Sequence, residues 1–166
     1  MNTIVRWATT ADAAGIHGLL QRYAKLGRLL PRSTQEIVER LGSFLVSEQN
    51  SAFTGCVSLE VFTPELGEVR SLAVDPDFAR LGHGRVLVEQ LELEARRLGL
   101  QRLMALTYVP DFFDKLGFKT TAMDTLPEKV FGVCVTCPKF HHCDEIAMVK
   151  NLASDALSRS TIGSVK

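Results

Sequence analysis

What this 166-residue chain lacks narrows its class first. No stretch approaches the roughly 18 consecutive apolar residues that a membrane-crossing helix requires, so no membrane span is expected. The start, MNTIVRWATTADAAG, has neither the basic opening nor the continuous apolar stretch of a secretory leader, and a cytoplasmic location is expected. An excess of one charge is also missing. Nineteen Lys and Arg balance nineteen Asp and Glu, which removes the electrostatic basis for broad binding to nucleic acid or anionic membranes. Internal repeats and low-complexity tracts are absent, and the four cysteines are expected to be mostly reduced in the cytoplasm. What is present is an ordinary globular composition, 46% hydrophobic and 23% charged, sufficient for one domain over residues 1–152. Residues 153–166 carry little apolar content and read as a frayed tail. A small-molecule partner fits this balance, and a homodimer stays open.

Periodicity predicts alternating α and β elements. Thr3 to Ala8 reads as a strand, and Thr10 or Asp12 can cap a helix with Ile16, Leu19, Leu20 and Tyr23 at helical spacing, fading near Gly27. Ser33 to Glu36 has the form of a capping box before a second helix with Ile37, Val38 and Leu41 inward, joined by Phe44. Strands follow at Phe44 to Val46, Ala52 to Phe62 and Glu68 to Val74. A helix from about Gly84 to Leu98 turns Val86, Leu87, Leu91 and Leu98 inward and stops at Gly99. Gln101 to Thr107 follows a strand–helix unit and should run parallel to Glu68 to Val74. A short helix at Asp111 to Leu116, a strand at Phe118 to Thr121 and a last strand at Glu145 to Val149 complete the reading.

The segment VRSLAVDPDFARLGHGRVLVEQL, Val69 to Leu91, ends a strand, passes Gly82 and Gly84, and opens into a helix. Free amides at a helix start carry partial positive charge and stabilise a phosphate, and glycines let the backbone approach it. A pyrophosphate ligand is one reading; a tight strand-to-helix connection without ligand is the other.

The strand LAVDPDF, the loop and helix ARLGHGRVLVEQL, the strand LMALT and the segment FFDKLGF together resemble the acetyl-coenzyme A core of the GCN5-related N-acetyltransferase (GNAT) superfamily. The resemblance covers about Ile4 to Leu152. It implies an α/β fold with a central mixed, mostly antiparallel sheet and one splayed parallel strand pair. It also implies acetyl-coenzyme A as cosubstrate. The pyrophosphate would sit on backbone amides of Arg80, Leu81, Gly82, His83, Gly84 and Arg85, and the pantetheine arm would pair with Leu72, Ala73 and Val74. Ala79 stands where the family's loop usually carries Gln or Arg, and Arg80 falls one place late. Glu68 is the candidate base, acting through water on the acceptor ammonium, with a solvated strand-end carboxylate as the plainer alternative. The family's acid is commonly a tyrosine, and here Phe113 replaces it. Tyr108 is the substitute candidate, or simply an aromatic packed at a strand end.

Three further segments, GRLLPRSTQEIVERL, GEVRSLAVDP and KLGFKTTAMDTLPEKV, are similar to the acetyltransferase domain of N-acetylglutamate synthases, in particular to short stand-alone forms. This implies transfer of acetyl to the α-amine of an amino acid, glutamate first, in arginine biosynthesis. Arg32 would grip a substrate carboxylate, with Ser33 as an added donor; an exposed surface arginine is the alternative. Those synthases tend to carry a lysine in the strand before Glu68, where this chain has Leu59-Glu60-Val61-Phe62. Another amine acceptor, or a non-catalytic acyl-coenzyme A sensor, stays open.

Cys134, Cys137, His141 and Cys143 lie within ten residues and could supply four ligands to a structural zinc, with two of the thiols at the common two-residue spacing. Reduced thiols with surface histidines, or a redox disulfide, are the alternatives. Cys56, inside a strand, reads as buried.

Overall fold

The computed structural model describes residues 3–122 and 145–152. Strand β1 (Thr3–Trp7) leads through a 3-10 turn at Thr10–Asp12 into helix α1 (Ala13–Lys25). Asp12 occupies the cap position, yet its carboxylate does not bond the free amides of α1. It accepts instead from the Thr9 amide at 2.7 Å and the Arg6 guanidinium at 2.8 Å. Asp12 has helical backbone angles, φ −87° and ψ −14°, where a capping residue is typically extended. Ile16, Leu19 and Leu20 form the buried face, as their spacing predicts. Helix α2 (Thr34–Glu39) has the expected capping box: the Glu36 amide donates to Ser33 Oγ at 3.1 Å, and the Ser33 amide reaches Glu36 Oε1 at 3.4 Å. Only Ile37 is buried within it, while Val38 is half exposed. Adjacent helical residues point about 100° apart, and so short a helix turns just one of them inward.

Six more strands follow: β2 (Phe44–Gln49), β3 (Ala52–Val61), β4 (Leu66–Val74), β5 (Arg102–Thr107), β6 (Lys119–Thr120) and β7 (Ile146–Asn151). The sheet order is β1-β2-β3-β4-β5-β7-β6. β4 and β5 are parallel in the register Leu66↔Arg102 to Glu68↔Met104, as the intervening helix α3 (His83–Arg97) requires. β1/β2, β2/β3, β5/β7 and β6/β7 are antiparallel.

Backbone contacts sort the chain into two compact units, Met1–Glu60 with Val69–Leu93, and Val61–Glu68 with Glu94–Lys166. In the first, Ile16, Leu19, Leu20, Ile37, Phe44, Val46, Cys56 and Ala73 form a core sealed by Tyr23, Leu29, Leu41 and Phe53. In the second, Leu66, Met104 and Ala147 form the centre, flanked by Phe62, Leu106 and Val149. Helix α4 (Pro110–Lys115) turns Phe113 inward, its ring meeting that of Phe118 edge-on at 5.2 Å.

The inward face of α3 differs from the expected one. Leu87, Val88, Leu91 and Ala95 are fully buried, whereas Val86 is 37% and Leu98 64% exposed. The buried set follows an i, i+1, i+4, i+8 stripe. Val86 falls off its edge and Leu98 lies past the last helical residue. Glu94, the residue before Ala95, is buried as well.

Candidate functional site

The phosphate-loop candidates lie at the start of α3. Gly82 accepts the amide of Val86 at 3.1 Å, so α3 starts at His83 and the amides of His83, Gly84 and Arg85 have no partner within the helix. Arg80 and Gly82 both adopt left-handed backbone, with φ of +65° and +87°. Only glycine does so without cost, so Gly82 is required for its conformation and Arg80 holds one that disfavours side chains. The side chains of Arg80 and Leu81 are exposed. Arg85 is exposed too and pairs with Glu89 at 3.4 Å. His83 is the exception: its ring is buried, with both nitrogens within hydrogen-bonding distance of Thr54 and Gln49.

Along β4, Leu72 and Val74 are half-buried and Ala73 is buried. The Val74 carbonyl already accepts from the Tyr23 hydroxyl at 2.7 Å, so Tyr23 does more than fill the α1 face. Ser71 has a φ of +54° in mid-strand, a conformation that no pattern in its neighbours announces.

Arg32 is not an exposed arginine. Its side chain is 6% exposed and its Nη1 donates to Ser71 Oγ at 2.9 Å and Ser58 Oγ at 3.3 Å. Nη2 meets Glu60 Oε1 at 3.1 Å, and the guanidinium carbon lies 5.2 Å from the centre of the Phe44 ring. Glu60 Oε2 is bonded by the exposed Arg40 at 2.8 Å, and Arg70 Nη1 stands 3.9 Å from Oε1. Burial and the neighbouring Arg70 pull the Arg32 guanidinium below its ordinary pKa, and Glu60 opposes them. Ser33, by contrast, is exposed and committed to capping α2. Glu60 is the member of this cluster that sequence reasoning missed as a partner for Arg32, from which it stands 28 positions away in the chain.

Glu68 is the third residue of β4 and only 3% exposed, which rules out a solvated strand end. It is also the last residue in register with β5, opposite Met104. Tyr108 is half-buried, just past the end of β5. Cys56 is buried in the first core and desolvation pushes its thiol up to about 12, which makes it a poor nucleophile. Cys134, Cys137, His141 and Cys143 lie outside the described residues. Among the described residues no group of three His, Cys, Asp or Glu stands close enough to hold a metal ion, and no helix is long and apolar enough to cross a membrane.

Residues 14–118 match the model of the acetyltransferase (GNAT) family. An uncharacterised N-acetyltransferase of Chlorobaculum tepidum is 38% identical over 91% of this chain and 97% of its own length. An amino-acid acetyltransferase of Mycobacterium tuberculosis is 35% identical over 77% of this chain and 75% of its own. In structure, the N-acetylglutamate synthase of Neisseria gonorrhoeae, solved with coenzyme A and N-acetyl-glutamate, is similar at a TM-score of 0.81 and 25% identity. That likeness covers 92% of this chain but 35% of the synthase, so this chain spans about a third of that protein.

Proposed function

Because the chain belongs to the GNAT acetyltransferase family, we propose that it transfers acetyl from acetyl-coenzyme A to the α-amine of an amino acid, with glutamate as the acceptor. The observation that carries the acceptor class is Arg32: a guanidinium fixed by two serines and one carboxylate is pre-oriented for a second carboxylate from a small acid. The names of the mycobacterial and gonococcal relatives support the same reading.

In this scheme the amides of Gly82 to Arg85 hold the diphosphate and β4 aligns the pantetheine arm, as the family resemblance implies. Glu68, buried where its register with β5 ends, draws a proton from the ammonium through water. The neutral amine then attacks the thioester carbonyl, forming the amide bond as the carbon–sulfur bond breaks. A backbone amide stabilises the oxyanion on the way. The amide nitrogen gives up its remaining extra proton to water, and the departing thiolate takes one from Tyr108 or from water.

One observation favours a different acceptor. Glu60 already partly neutralises Arg32, and its negative charge would repel a second carboxylate. Glutamine, another amino acid or a peptide N-terminus would suffer less from it. An acceptor panel with thiol release as the readout decides between them. Turnover of glutamate above all others is expected. Preference for a neutral acceptor would replace glutamate, and heat of coenzyme A binding without any turnover would make the chain a sensor.

A further inference from the structure

The segment from Asp75 to His83 joins β4 to α3, and both of its ends are fastened to one residue of β3. In the β2/β3 pairing Ser47 faces Gly55 while Glu48 faces Phe53, so Thr54 is the extra residue of a β-bulge. The Thr54 carbonyl accepts the amide of Asp75 at 2.7 Å. The Thr54 hydroxyl lies 3.0 Å from Nδ1 of His83. On the other side of the ring, Nε2 lies 3.0 Å from Oε1 of Gln49. A carbonyl oxygen only accepts, so Nε2 carries a proton; in the neutral ring Nδ1 then accepts from the Thr54 hydroxyl, whose oxygen accepts in turn from Ser47 at 2.8 Å. Phe78 meets the imidazole edge-on, with ring centres 5.6 Å apart.

Between these two anchors the chain holds Arg80 and Gly82 in left-handed conformations. Such backbone persists only where its surroundings over-determine it. Arg80, Leu81 and Arg85 point into solvent, so His83 is the side chain of the loop that is turned inward and bonded at both ring nitrogens.

We infer that His83, through Thr54, is a positioning residue for the cosubstrate: it sets the loop so that the amides of Gly82 to Arg85 converge on the diphosphate. The imidazole touches no substrate atom in this role. The inference rests on the acyl-coenzyme A reading above and adds to it the device that holds the cradle in shape.

Titration calorimetry with coenzyme A tests it on the wild type and on Thr54→Val, Thr54→Ser and His83→Gln. Thr54→Val keeps the side-chain shape and the carbonyl to Asp75 but removes the hydroxyl that serves Nδ1. A rise of roughly tenfold in Kd is expected for Thr54→Val and His83→Gln, equivalent to about 1.4 kcal/mol. Thr54→Ser should match the wild type, and the acceptor KM should stay put in all three. An unchanged Kd in folded variants, or an acceptor KM that climbs in step with the one for acetyl-coenzyme A, would overturn the inference while leaving the acyl-coenzyme A reading intact. Failure of both disruptive variants to fold would overturn it as well, because the network would then serve the fold alone. A wild type that gives no heat with coenzyme A defeats the underlying reading itself, and this inference with it.

Discussion

Arg32 and Glu60 form an ion pair, Nη2 to Oε1 at 3.1 Å, in which each side chain is less than a tenth exposed. The pair ties the segment between α1 and α2 to β3, while the bonds of the same guanidinium to Ser58 and Ser71 extend the tie to β4. A buried charge pair costs desolvation, which offsets much of its attraction, so what the pair fixes is position more than stability.

Arg32→Ala should therefore act twice. It should lower stability by about 3 kcal/mol, since it strands part of a buried pair, with Arg40 still serving Glu60. It should also raise the acceptor KM roughly tenfold, the loss of one charge-assisted contact, while leaving the KM for acetyl-coenzyme A alone. Denaturant melts and steady-state kinetics read the two effects separately. A folded variant with a normal acceptor KM would take Arg32 out of the acceptor site.

Glu68→Gln keeps the shape of a nearly inaccessible side chain and removes its basicity. The expectation is a drop in kcat on the order of a hundredfold or more, with coenzyme A affinity little changed. Turnover equal to the wild type's would mean that the proton leaves by another route.

Gly55→Ala introduces a Cβ that would meet the Ala73 carbonyl at 2.9 Å, Ser47 Oγ at 3.0 Å and a Leu87 methyl at 3.2 Å. The first of these is main chain and cannot swing away, so the cost should be about 1–3 kcal/mol. Because Ala73 is in the strand assigned to the pantetheine arm, coenzyme A binding should weaken as well. Calorimetry and a thermal melt on the variant give both numbers. An unperturbed melting temperature would show that the sheet yields there.

Much of this arrangement was legible in the sequence, and the exceptions have physical causes. The strand–glycine loop–helix order, the Ser33 capping box and the parallel β4/β5 pair follow from local spacing, which is where a linear pattern carries information. The inner face of α3 was partly misjudged because Val86, Leu87 and Val88 are consecutive apolar residues, and only the packing partner chooses which of the outer two turns inward. The bonds of His83 to Thr54 and Gln49 join residues some thirty positions apart, and no local pattern marks them. The three guanidiniums that gather around Glu60 come from residues 10 to 28 positions away, so no local spacing marks that cluster either.

Cys56 should be silent toward an aromatic disulfide reagent in the native protein. Burial holds its thiol near pH 12, so the reactive thiolate is scarce at neutral pH. Cys56→Ser should leave the native thiol count unchanged and lower the fully denatured count by one. Loss of a fast-reacting thiol in that variant would contradict the assignment.

Asp12 predicts an acid limb in stability. The hydrogen bonds from Arg6 hold its carboxyl below the ordinary value, helped by the Thr9 amide and opposed by burial. The folded state thus binds this proton less readily than the unfolded chain. Its contribution is present above the unfolded value of about 3.9 and is lost as pH falls through the folded one. Asp12→Asn should melt earlier than the wild type at pH 7, and the gap should close as the buffer is taken below pH 4. A gap that persists there would assign the effect to packing.

The position of β7 bears on how the protein is made. β5 and β6 are adjacent in sequence but lie on either side of β7, whose last paired residue is Asn151. On the ribosome both strands must therefore wait for their shared partner until residues 146–151 have been translated. Helix α1 and the β2/β3 hairpin can assemble long before that. Vectorial synthesis should leave the second unit as the late, aggregation-prone step, and a stalled nascent chain ending before residue 146 should be the form that a chaperone protects.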